Sequence, residues 1–248
     1  MIFNIIRKEL KSLFSSPMGW VILALLQFVF GTFFLIGVDQ YFLTMSGAMR
    51  PEQRVGVTAF VGQNVFGIAS FVMLFAVPLL SMRLISEERR QQTLTFLFSA
   101  PLSITEIVIG KFLGLVSFLT IVILLMAAMI ASMNLWTDVD FGYILSNVAG
   151  LWLLVASFSA LGIYVSSLTN QPVVAGIITF VALFALLILD HFFAGDPTST
   201  MAYLSLMRHF EPFSRGLVDT RDLAYFVLFI ITFLTLTVRR LDADRLRG

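Results

Sequence analysis

Six stretches of the chain contain no Asp, Glu, Lys, Arg or His: residues 18–38, 60–82, 112–136, 141–168, 172–189 and 223–238. A helix needs about 20 apolar residues to cross a hydrocarbon core of about 30 Å, so each stretch is long enough, or nearly so, to span a bilayer. The last holds only 16 residues, and Arg239 and Arg240 can complete it by extending their charged ends toward the interface. Composition agrees. The 248 residues are 58% hydrophobic and 12% charged, against about 25% charged in a soluble domain. The expected fold is all-α and polytopic.

Basic residues set the orientation. With both termini in the cytoplasm, the inner segments hold Arg7, Lys8, Lys11, Arg83, Arg89, Arg90, Lys111, Arg239, Arg240, Arg245 and Arg247, eleven in all, and the outer loops hold five. Residues 1–17 form a separate unit. Ile2, Phe3, Ile6, Leu10, Leu13 and Phe14 recur at helical spacing with Arg7, Lys8 and Lys11 on another side, the pattern of a basic amphipathic helix in the inner interface. A signal peptide would have a shorter apolar run and a small-residue cleavage site. Residues 18–248 form the transmembrane domain, whose fourth and fifth spans are joined only by Thr169-Asn170-Gln171.

Several chemistries are excluded. The one Gly-Lys pair, Gly110-Lys111, is followed by Phe112 and has no glycine five residues before it, so there is no phosphate-cradling loop. No ionisable side chain falls inside a span, where proton and ion relays place them. Gln27, Gln63, Asn64 and Asn147 are the main polar exceptions, expected to make interhelical hydrogen bonds. His191 and His209 stand near Asp190, Asp196 and Glu211 without metal-ligand spacing and are expected to be interfacial histidines. Cysteine is absent, and no basic tract points to nucleic acid. The chain is therefore not expected to be an enzyme or to hold a cofactor. Gly110-x-x-x-Gly114 lets the third span approach a neighbour closely.

The inner loop, residues 83–111, is the most informative segment. Leu84, Ile85, Leu94, Leu97 and Phe98 give a partly apolar helical face, and Glu87, Glu88, Arg89 and Arg90 crowd one turn. Ala100-Pro101 is expected to stop this helix, and Ser103 or Thr105 to cap the next. Helices that float on lipid favour Lys and Arg on the polar side; two adjacent carboxylates fit a protein partner better.

Glu87-Glu-Arg-Arg-Gln-Gln-Thr-Leu, Ala100-Pro-Leu-Ser and Ile109-Gly-Lys-Phe resemble the signature of type-2 ATP-binding-cassette exporter permeases (ABC-2). Lys8-Glu-Leu-Lys-Ser-Leu-Phe-Ser-Ser-Pro17 is similar to that family's amino-terminal interfacial helix, and Ser166-Ser-Leu-Thr-Asn170 to its turn after span four. Tyr203-Leu-Ser-Leu, His209-Phe, Phe213-Ser-Arg-Gly216 and Asp219-Thr-Arg-Asp222 resemble the gliding-motility branch, which includes permeases for nitrous-oxide-reductase maturation. Where the family usually has glycine before the threonine, this chain has Gln92. A helix tolerates glutamine better than glycine, so docking is expected with altered local geometry.

The resemblance implies six transmembrane helices in a bacterial inner membrane, a cytoplasmic coupling helix between spans two and three, and a short re-entrant element before span six. It implies docking of a separate ABC ATPase through Glu87, Glu88, Arg89, Arg90, Thr93, Leu94, Leu97 and Pro101. Two ATPase copies, which bind ATP and Mg, would serve a dimer with a second copy of this permease or a related one. The branch adds an auxiliary membrane protein with a large extracytoplasmic domain. An outer gate or partner contact would use His209, Arg215, Gly216, Asp219, Arg221 and Asp222. The function implied is substrate export driven by the partner's ATP hydrolysis; the alternative is force transmission to an extracytoplasmic partner with nothing crossing.

Overall fold

The computed structural model describes residues 2–43, 56–93, 103–193 and 203–247, with 189–193 and 247 described by backbone alone. Among the described residues the secondary structure is helical throughout. Helix α1 (Ile2–Ser15) ends just before Pro17, which opens α2 (Pro17–Leu43). Proline suits a first helical position because its missing N–H has no intrahelical partner there, and Ser16 Oγ accepts from Met18 N at 3.3 Å to cap the new helix.

Helix α3 (Val57–Ser81) passes through a turn at 82–85 into the five-residue α4 (Ser86–Arg90). Helix α5 (Ile104–Ala131) starts with a capping box: Ser103 Oγ accepts from Glu106 N, while the Glu106 carboxylate accepts from Ser103 N. Of the two expected caps, Ser103 is the one used. A 3-10 turn (Ser132–Leu135) closes α5. Asp140 caps α6 (Phe141–Leu168) by accepting from Tyr143 N at 3.1 Å. After the short 169–171 link come α7 (Pro172–Phe193), α8 (Leu206–Ser214) and α9 (Thr220–Arg247).

Helix α6 is the axis of the bundle, packed against α3, α5, α7, α8 and α9. Its small residues let neighbours in, and two of its mid-helix hydroxyls are satisfied within the helix: Ser157 Oγ donates to Leu153 O at 2.9 Å and Ser159 Oγ to Val155 O at 2.8 Å. Helices α2 and α9 lie on the outside, and their exposed Phe28 and Leu228 suit lipid rather than water. Gln27 makes the expected interhelical bond, donating to Val122 O on α5 at 3.0 Å. Asn147 does not: its amide donates to Tyr143 O on its own helix, and Gln63 and Asn64 are exposed.

Among the described residues five helical segments are long and apolar enough to cross a membrane, formed by α2, α3 with α4, α5 with its 3-10 turn, α6 and α9. The remaining expected span, 172–189, lies in α7, whose described apolar part, Pro172–Ile188, is shorter than the other five. The stretch at 223–238, the shortest by sequence, instead lies within the 28-residue α9.

Candidate docking site at the charged end of the bundle

The local seat of α4 is built by one serine. Ser166 Oγ, near the end of α6, accepts from Ile85 N at 3.2 Å and Ser86 N at 3.0 Å, and donates to Met82 O at 3.0 Å. A hydroxyl has one proton and two lone pairs, so every valence of Ser166 is spent holding the turn that enters α4. Ser86 Oγ also donates to Met82 O. The first amides of a helix lack intrahelical partners, and here the C-terminal end of α6 supplies one.

The four charges of α4 divide. Glu88 and Arg89 turn inward. Glu88 Oε1 meets Lys111 Nζ at 2.7 Å and Lys8 Nζ at 3.6 Å, and Lys111 Nζ also meets Glu9 Oε1 at 3.0 Å. Lys111, two turns into α5, is only 2% exposed. Arg89 pairs with Asp244 near the end of α9, which also meets Arg240 at 3.6 Å. Glu87 and Arg90 lie on the outer side. Among the described residues Glu87 has only a loose partner, Arg83 at 4.0 Å, and a long hydrogen bond from Gln91 at 3.4 Å, while Arg90 is exposed.

Helix α1 reaches this cluster by a close approach. A Cβ at Gly110 would sit 2.7 Å from Ile5 Cγ2, and one at Gly114 would sit 2.7 Å from Glu9 Cβ. The Gly110-x-x-x-Gly114 pair is thus the seat of α1 on α5. The most buried residue of α1 is Glu9, so this helix packs through a carboxylate as well as through its apolar stripe.

Gln92 corrects the helix argument. Its φ is 56°, in the left-handed region, and the helix has already ended at Arg90. Gln92 N donates to Arg89 O at 3.2 Å and Thr93 N to Glu88 O at 3.0 Å, the paired bonds of a Schellman helix end. Glycine is favoured there because it lacks a Cβ, so glutamine is strained at this position rather than preferred. Helix α4 stops at this turn, and the stop expected at Ala100-Pro101 lies outside the described residues. Thr93 Oγ1 donates to Glu88 O at 3.2 Å. Leu94, Leu97 and Pro101 lie outside the described residues.

At the opposite end, α8 lies against α6 and α9, with Leu206, His209, Phe210 and Phe213 buried. His209 Nδ1 is 2.6 Å from Asp222 Oδ1 and Nε2 is 2.9 Å from Tyr203 O; the ring stacks on Tyr225 at 3.9 Å. Asp219 Oδ1 accepts from Arg221 N at 2.9 Å at the start of α9, and Gly216, with φ 84°, follows the end of α8. Arg215 meets Glu211 at 2.5 Å on the surface. These contacts assign His209 and Asp222 to tying α8 to α9, and Gly216 and Asp219 to ending and starting helices. Among the described residues no group of three or more His, Asp or Glu side chains converges as metal ligands would. The side chain of His191 lies outside the described residues.

The family model described as ABC-2 family transporter protein matches residues 3–244. The chain belongs to the ABC-2 family. No curated protein matches it. ABC-2 membership covers both ends of the bundle, α1 through the last turns of α9, and makes this a multi-pass membrane component of a transporter family whose members imply an ABC ATPase partner.

In this ABC-2 protein the sequence pointed to the α4 quartet but missed what holds it. Glu9, Lys111, Ser166 and Asp244 form the inner supports. A glutamate on the apolar side of an otherwise basic helix was the one available signal for Glu9, and the adjoining GxxxG was the one for its partner helix. Ser166 sat in a recognised segment with no physical role attached to it.

Proposed function

We propose that this ABC-2 protein is the permease subunit of an exporter in a bacterial inner membrane, driven by a separate cytoplasmic ATPase that docks on α4. The observation that carries the reading is the split quartet. Glu88 and Arg89 are fixed to α1, α5 and α9, leaving Glu87, Arg90, Gln91 and Thr93 on the outward surface. Force passes best through stiff elements, and α4 is tied to three long helices within five residues.

Helix α6 carries motion onward. Ser166 holds α4 near its C-terminal end, and Ser146 Oγ donates to Phe213 O of α8 at 3.1 Å near its N-terminal end. Twenty residues separate the two serines, about 30 Å along a helix. This rod also supports the second reading, in which α8, a short element before α9, passes force to an extracytoplasmic partner and nothing crosses. Orientation follows the eleven inner basic residues against five. Helix α7, 22 residues long and so about 33 Å, acts as the further span that returns both termini to the cytoplasm. The gliding-motility branch and its auxiliary protein rest on the resemblance of Tyr203–Asp222 segments alone.

The test is reconstitution of the full chain in vesicles with and without its cognate ABC ATPase. ATP hydrolysis and transport are expected only with both present, in complexes of two permease chains and two ATPases. Complete activity from the chain alone would overturn the assignment.

A further inference from the structure

His209 is buried, and both of its ring nitrogens face acceptors. Nδ1 lies 2.6 Å from Asp222 Oδ1 at the start of α9, and Nε2 lies 2.9 Å from Tyr203 O ahead of α8. A backbone carbonyl and an ionised carboxylate can only accept, whereas neutral imidazole has a single N–H. With one proton between them, one of the two contacts sets lone pair against lone pair in a buried site, where an unmet polar group is costly. The pair therefore needs two protons. Both belong on the ring. The imidazolium then faces the Asp222 carboxylate, and its plane lies on the Tyr225 ring at 3.9 Å and 22°, where the electron-rich face attracts a cation.

The elements packed on α8 place few other ionisable groups near this ring. Helices α3 and α7 carry none in residues 57–81 and 172–188. On α6, Tyr143 Oη reaches Ala59 O at 3.5 Å and Tyr164 lies against Phe233. On α9, Tyr225 Oη donates to Leu204 O at 2.7 Å, so its proton is already placed, and Arg221 is exposed. Tyr203 meets the ring edge-on at 4.8 Å. On α8 itself, Arg208 is half-buried, and Glu211 pairs with Arg215 on the surface. We propose that the His209–Asp222 pair is a proton-operated latch between α8 and α9: two protons on the imidazole ring close it, and loss of one opens it. The stabilisation is present while the ring is charged and is lost as pH rises and a proton leaves. A lone pair then opposes either Asp222 or the Tyr203 carbonyl, and α8 loses one of its two ties through this ring. The choice of compartment rests on the orientation proposed above, which puts α8 outside, so that external pH governs the far end of the rod that begins at α4.

The test is a pair of titrations of the full chain in detergent over about pH 5–9, a range that brackets ordinary histidine chemistry. Imidazole nitrogen NMR with His191→Asn reads the ring of His209 alone, since the chain has two histidines. A spin label at Glu211→Cys, in a chain with no cysteine of its own, reads the mobility of α8. Both ring nitrogens are expected to carry protons at the acid end. Loss of one with rising pH is expected to coincide with release of α8, the freed fraction growing roughly tenfold or more, the weight of a charged hydrogen bond. In His209→Gln the label is expected to be mobile at every pH. A ring with one proton throughout, a ring that keeps both to the top of the range, or a ring that titrates while α8 stays fixed each overturns the proposal. So does an unchanged pH profile in His209→Gln. The NMR arm keeps His209 itself, so a folding defect in His209→Gln does not obscure it. In detergent both faces meet one pH and no ATPase is present, so failure here is distinct from failure of the orientation or of the docking reading.

Discussion

At the scale of single residues, Lys111 and Gln92 make opposite predictions. Lys111 is 2% exposed between two carboxylates, and removing one partner of a buried ion pair costs about 3–5 kcal/mol. Lys111→Met is therefore expected to lower the thermal midpoint of the detergent-solubilised protein sharply, and Glu9→Gln added to it to recover part of the loss; an unchanged midpoint for Lys111→Met contradicts the cluster. Gln92 holds a left-handed conformation that costs an L-residue roughly 1–2 kcal/mol. Gln92→Gly is expected to strengthen the helix end, seen as slower hydrogen exchange at the Gln92 and Thr93 amides. Local chemistry of this kind was only partly legible. The Ser103 cap was readable because the amide it accepts from is three residues away. Lys111 was not, because its partners lie 102 and 23 residues away, and one sequence carries no record of which distant charges meet. The strain at Gln92 was misread because helix propensity was applied to a position that is not helical.

At the scale of elements, α4 stands or falls with Ser166. Ser166→Ala removes two acceptor interactions and one donor at a buried site, each worth about 0.5–1.5 kcal/mol. Faster exchange at the Ile85 and Ser86 amides, by roughly tenfold or more, is the expected outcome, with α5 and α9 unaffected; unchanged exchange contradicts the seat. Gly114→Leu is expected to lever α1 off α5, because a Cβ already comes within 2.7 Å of Glu9. A fluorescent label at Asn4, which is exposed, then reports altered mobility of α1. Apolar runs made most spans legible, since absence of charge is a signal one stretch carries by itself. The charged extension of α9 was not, because Arg239 to Arg247 reads as a polar tail; in the fold Arg240–Asp244 and Arg89–Asp244 contacts keep it helical. The early end of α4 was hidden because glutamine carries no turn signal where glycine would.

At the scale of the whole molecule, the bundle joins a fixed charged end to a latched far end through α6, and the central claim is that the outward half of the quartet receives a second polypeptide. Among the described residues Glu87 and Arg90 make few internal contacts, whereas Glu88 and Arg89 make the supporting ones, so reversal of the two pairs must have different consequences. Glu88→Arg and Arg89→Glu are expected to disturb the permease itself. The most direct measurement is equilibrium binding of the partner ATPase to purified Glu87→Arg and Arg90→Glu permeases, with thermal midpoints recorded in parallel. Affinity is expected to fall about tenfold in each, equal to about 1.4 kcal/mol, with midpoints close to the unaltered protein. Unchanged affinity in both variants, with both still folded, contradicts docking on α4.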